Sequence, residues 1–434
     1  MEGPENGRVL HLDGLRGFAS LLVYWHHHQL WYHSASRVTL ELGFGFMGEY
    51  HLATFPGIRT FFTGGHFAVA VLFVISGYAL ASKPLRLIQS RDQRGLADHL
   101  ASAIFRRWLR LYIPFVCTTF IFMSLCHVLN VRNPGFQPLE SWAEDVQAWS
   151  SEFRRFSFVF DEGRSPWFSY NDHLWSIPVE FKGSMIIYTT SLATSRLSVR
   201  PRLLSLGGLV LYHLYAVDGW YAALFIGGML LCYFHLIEQH ETQHGHHQAT
   251  RYQRLVNYVL LFGGLYLAGV PHCTPAEYLG QNRGWYFLSL WKPEAMADPK
   301  WFYLFFASIS VVAAVSRIPH LRDILKSSLF QHLGRISYAL YLVHGPILWT
   351  LGNYVYEFSG KIVLSGGWPL GLEPGFLLAH VILMPVTLCI ASATTRGIDE
   401  LSIAVSHNLY RRVCASGGDD GRIHKAEARQ RSLR

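Results

Sequence analysis

The sequence predicts an all-α, polytopic membrane protein with about ten transmembrane helices and both termini in the cytosol. Three observations carry that prediction. Half of the 434 residues are hydrophobic and 15% are charged, against about 25% charged in an ordinary soluble domain. The apolar residues gather into runs near the roughly 20 residues that a helix needs to cross the hydrocarbon core. Lys and Arg crowd the segments between alternate runs, and the side that holds both chain ends carries more than twice as many as the other. By the positive-inside bias that side is cytosolic.

The spans are expected over 14–32, 66–82, 108–130, 173–193, 202–217, 219–238, 254–271, 300–316, 333–353 and 376–395. They form one membrane domain, 12–396, between a polar N-terminal segment, 1–11, and a basic tail, 397–434, too polar to pack. The first run lacks a small-x-small cleavage site and is read as a retained span. Residues 131–172, on the non-cytosolic side, are rich in Trp and Phe, which suits a loop packed on the domain as a lid. The formal charge of +8 orients the chain in the bilayer, and no nucleic-acid partner is expected. The six cysteines show no zinc-ligand or disulfide spacing, so no metal is expected.

Ionisable residues inside such spans are costly and mark candidate functional positions. In the first span Arg16 and His27 stand eleven residues apart, just over three helical turns, which puts them on one line about 16 Å apart. His26 and His28 point to either side of that line. Arg16 could equally anchor the helix at the interface, and His26 and His28 suit packing or local hydrogen bonds. In the second span Ser76-Gly77 suits close helix packing. Arg107 and Arg110, three apart, share a helix face at the cytosolic edge. They suit phosphate oxygens or simply supply orienting charge. In the fourth span Pro178 is expected to bend the helix before Glu180, whose carboxylate could orient or charge a histidine. The ninth span carries Tyr338, Tyr341 and His344, the last two adjacent on the surface of a helix.

The segments LDGLRGFASLLVYWHH (12–27), LFVISGYAL (72–80), RRWLRLY (106–112), HLWSIPVEF (173–181) and GRISYALYLVHGPI (334–347), in that order, resemble the acyltransferase-3 family of integral-membrane O-acyltransferases. The run around Glu180 is closer to the family's fungal branch than to its bacterial one, and the stand-alone type without a soluble hydrolase-like domain is expected.

The resemblance implies transfer of an acyl group, acetyl by first expectation, from acyl-CoA as co-substrate to a hydroxyl. It implies no permanently bound cofactor. His27 is the expected base or acyl carrier, with Glu180 as its catalytic support. Arg16, Arg107 and Arg110 are expected to hold the CoA phosphates, and His344 and Tyr341 to contact the acceptor. The acceptor is expected to be a hydroxylated small molecule such as a secondary metabolite, with a cell-wall or surface glycan as the alternative. The chain would then be a multi-pass protein of an endomembrane, its partners being the acyl-CoA donor, the acceptor and the lipid bilayer. A transporter or flippase, or a scaffold of helices, would also account for the spans, but neither needs an arginine pair facing a polyanion.

Overall fold

The computed structural model describes residues 9–131, 135–160, 167–242, 250–272, 276–362 and 368–414. It is helical, with no strand among the described residues. The principal helices are α1 (Leu10–Tyr32), α2 (Gly65–Gln89), α3 (Gln93–Leu129), α4 (Trp142–Ser157), α5 (Ser176–Ala193) and α6 (Val199–Leu211). They continue with α7 (Trp220–Thr242), α8 (Arg251–Ala268), α9 (Lys300–Arg317), α10 (Ser328–Ile347) and α11 (Pro374–Thr394).

Every expected span overlies one of these helices, and α4 is an additional one. Among the described residues, five helices combine the length and apolarity to cross a membrane: α2, α3, Trp220–Gln239 of α7, α9, and the continuous helix Pro374–Cys414 that extends α11. The first helix is long enough, at 23 residues, but its arginine and histidines lower its apolarity.

Glycines set how closely the central helices approach. A Cβ on Gly17 of α1 would lie 2.4 Å from the backbone N of Gly334 on α10, and one on Gly334 would lie 2.3 Å from the Asp13 carbonyl oxygen. Only hydrogen fits between these two backbones. Gly77 does the same for α2 against α7, where a Cβ would meet the Phe225 carbonyl oxygen at 2.1 Å, so its role is packing. The close α1–α10 seam brings polar residues of the two helices into hydrogen-bond reach.

The described part of the 131–172 loop packs on the domain as expected. Its helix α4 opens with a capping box, Ser141 with Glu144, and buries Asp145, Trp149 and Phe156. Phe156 stacks on Phe115 of α3 at 4.8 Å between ring centroids, and the Trp149 indole N–H donates to Thr119. One expectation is corrected. Pro178 does not bend α5, because it lies in the helix's first turn, where a missing N–H costs nothing.

Candidate active site

Two groups of polar residues occupy the α1–α3–α5–α10 region. The first lies at the end of the bundle marked by Arg16. Arg107 donates from Nε to Ser184 (2.7 Å) and from Nη2 to the Glu180 carboxylate (2.5 Å), so α3 and α5 are tied by a half-buried ion pair. Glu180 therefore reaches an arginine where the sequence reading had it supporting His27. The two residues are 73 positions apart, and no helical spacing could reveal that pairing. Arg16 donates from Nε to Ser337 of α10 at 2.8 Å. Arg110 and Arg16 both act electrostatically on Asp399, which follows α11, so the three expected arginines share one end of the molecule. A pocket of about 160 Å³ opens there, lined by Arg107, Arg110, Lys83, His99 and Arg106 with Tyr188. Lys83, His99 and Arg106 were not among the expected site residues; the charges of Lys83 and Arg106 also serve to orient the chain.

The second group surrounds His27. Its Nδ1 lies 2.9 Å from Nε2 of His344, and its ring stacks on His173 with centroids 3.6 Å apart and planes 10° from parallel. His344 Nδ1 lies 3.1 Å from the Leu340 carbonyl oxygen one turn earlier. The local sequence explains the setting. Pro346 lacks the N–H that would reach the Leu342 carbonyl, and the Asn171 side chain donates to that oxygen instead, at 3.2 Å. Tyr341 donates to the His173 carbonyl oxygen and accepts from Ser176 at 2.8 Å. Its hydroxyl is thus occupied by protein groups and braces the segment that carries His173.

The triplet of α1 divides as the helical phase requires. His26 packs against His66 and against the backbone of Gly65, and His28 hydrogen-bonds the Tyr356 hydroxyl at 2.6 Å. Of the three, His27 joins the α10 histidine. His173 begins the run HLWSIPVEF but was not among the expected site residues, because nothing in its spacing relates it to α1.

Nitrogens of His27, His173 and His344 lie within 4.8 Å of one another, and imidazole is the commonest metal ligand. The ring planes decide what the trio does as it stands. An imidazole lone pair lies in its own ring plane. With the His27 and His173 rings face to face, centroids 3.6 Å apart and planes inclined by 10°, their in-plane lone pairs do not converge on a point near the cluster. The rings stack and hydrogen-bond; joint ligation would require one of them to turn.

The sequence was compared with known proteins. The family model of an acyltransferase domain, Acyl_transf_3, matches residues 9–396. The O-acetyltransferase PaAT-1 of Phomopsis amygdali is 28% identical, over 95% of this chain and 86% of its own length. The acyltransferase clz18 of Cochliobolus lunatus is 25% identical, over 92% and 95%. The acyltransferase R4 of a Phoma species is 24% identical, over 92% and 95%. No solved structure matches.

Proposed function

The chain belongs to this acyltransferase family, and from that membership we propose that it moves an acetyl group from acetyl-CoA to a hydroxyl of a small-molecule acceptor in or at the membrane. The observation that carries the proposal is the pairing of a cationic pocket between α2, α3 and α5, at the end of the bundle that holds Arg16, with a sheltered imidazole, His27, about three turns from Arg16 along α1.

Each half suits one half of the reaction. Guanidinium groups bind phosphate oxygens through two parallel hydrogen bonds, and Arg107 presents its group in a fixed orientation because Glu180 and Ser184 hold it. With Arg110, Arg16, Lys83 and Arg106 nearby, the pocket fits the phosphates of CoA. The pantetheine arm would run inward along α1 and bring the thioester to His27. A hydroxyl attacks poorly until its proton is removed, and a positioned imidazole does this effectively. His27 is the base.

The relatives are named as acyltransferases, one as an O-acetyltransferase, which supports acetyl as the group moved. Purified protein incubated with radiolabelled acetyl-CoA and an extract of the producing organism is expected to pass label to an organic-soluble product. Metabolites of a deletion strain are expected to be lighter by about 42 Da per acylated hydroxyl. Label recovered solely in polymeric glycan would overturn the small-molecule reading.

A further inference from the structure

We infer that His344 is a positioning residue that fixes the tautomer of His27 and leaves the reactive lone pair of His27 on Nε2. The inference rests on the reading of His27 as the base, and it replaces the acceptor contact that the sequence suggested for His344.

A carbonyl oxygen can only accept a hydrogen bond. His344 Nδ1 faces that of Leu340 at 3.1 Å, so Nδ1 carries the hydrogen. A neutral imidazole has one N–H and one lone pair, which makes His344 Nε2 an acceptor. His27 Nδ1, 2.9 Å away, must then be the donor. The lone pair of neutral His27 is left on Nε2, for which no protein partner is found among the described residues. The chain of donors runs one way, from α1 to α10 to the backbone.

The opposite tautomer fails at one of two places. With the hydrogen on His27 Nε2, two lone pairs would face each other at 2.9 Å. Reversing His344 to relieve this would set its lone pair against the Leu340 oxygen. Either arrangement leaves a sheltered polar group without its hydrogen bond, a bias on the order of ten- to a hundredfold in population.

A neutral acceptor also suits the chemistry better than a carboxylate, which would favour the protonated ring. In the reaction the acceptor hydroxyl gives its proton to His27 Nε2 while its oxygen bonds to the thioester carbonyl carbon. Collapse of the tetrahedral intermediate breaks the carbon–sulfur bond, and Nε2 returns the proton to the departing sulfur. His27 Nδ1–H stays on His344 throughout, and His344 neither gains nor loses a proton.

The test compares His344→Leu, which cannot accept, with His344→Gln, whose side-chain oxygen can. With the full-length protein and labelled acetyl-CoA, the leucine variant is expected to lose on the order of a hundredfold in kcat with the acetyl-CoA KM unchanged. Freeing the tautomer accounts for about twofold. The rest is the charge-assisted hydrogen bond from Nδ1–H of the protonated His27 ring, which leucine cannot accept. The glutamine variant is expected to recover most of the loss. Histidine 15N spectra should show His27 Nε2 unprotonated in the wild type and glutamine proteins, and the hydrogen shared between both nitrogens in the leucine variant. A kcat within about threefold of wild type for His344→Leu would overturn the inference. So would equal losses in both variants with unchanged 15N spectra, or a loss confined to the acceptor KM. If His27→Ala is inactive while His344→Leu is active, only this inference falls; if His27→Ala is active, the base itself falls.

Discussion

The imidazole cluster around His27 and the arginine pocket at the other end of α1 are made of opposite materials. At His27 the immediate neighbours are two more imidazoles and backbone carbonyls. Among the described residues no carboxylate hydrogen-bonds His27, and the nearest to the cluster, Asp172, lies 3.6 Å from His173. At the pocket almost every polar group is charged, and a carboxylate, Glu180, holds one of the arginines. The contrast follows from where each lies. Charges are tolerable near the aqueous edge, where solvent helps to stabilise them, and there they can bind a polyanion. At His27, read as a base, the lone pair must stay free, and a directly bonded carboxylate would stabilise the protonated ring. On the proposed reading, binding is electrostatic at one end and proton transfer runs through a neutral ring at the other.

The largest effect that could break this comparison is expected at His27 itself. His27→Ala should lower kcat by about 10²- to 10⁴-fold, the range general-base catalysis supplies, while acetyl-CoA binding stays as in the wild type. His26→Ala, one residue away but packed on His66, should retain catalysis. Equal losses in both would mean that the triplet acts as packing, and that the division by helical phase is wrong.

The pocket should respond in the other parameter. Arg107→Ala is expected to raise the acetyl-CoA KM by about tenfold with little change in kcat, since it removes a charge-assisted phosphate contact. Glu180→Gln should act in the same direction but less, by about threefold, because Arg107 keeps Ser184 while losing its ionic partner. Raising ionic strength should increase the wild-type KM and leave kcat alone, as screening weakens exposed charges. A fall in kcat without a change in KM for Glu180→Gln would return that carboxylate to the base, where the sequence reading had put it.

That reading illustrates what a single sequence can and cannot carry. The line shared by Arg16 and His27 was legible because both lie on one helix, and helical phase relates the two without tertiary knowledge. Contacts between helices were not. His27 and His344 are 317 residues apart and Arg107 and Glu180 are 73, so the residues could be named but not paired. The fold shows the same limit. Apolar runs revealed the helices that overlie the expected spans, whereas the first turns of α3, from Gln93, are polar and escape a search for apolarity; Asp92 caps them by accepting from the Gly95 N–H. Helix α4 escaped for a related reason, being amphipathic and lying within a loop whose aromatics signalled packing but not its shape.

The smallest expected effect lies away from both regions and serves as their control. Asp145 of α4 is fully buried. It accepts from His127 Nδ1 at 2.6 Å and from the Leu139 backbone N–H at 3.2 Å, so one carboxylate holds the loop helix, the end of α3 and the chain between them. Asp145→Asn keeps the shape and one acceptor but puts an NH₂ where the second acceptor was. That should lower stability by about 1–3 kcal/mol, read as a lower melting temperature in detergent. Because the Asp145 contact with His127 lies about 30 Å along α3 from Arg107 by helical rise, kcat and the acetyl-CoA KM should both stay near wild type. A loss of kcat at unchanged stability would instead make the loop part of the catalytic enclosure, and the contrast drawn between two regions would have to admit a third.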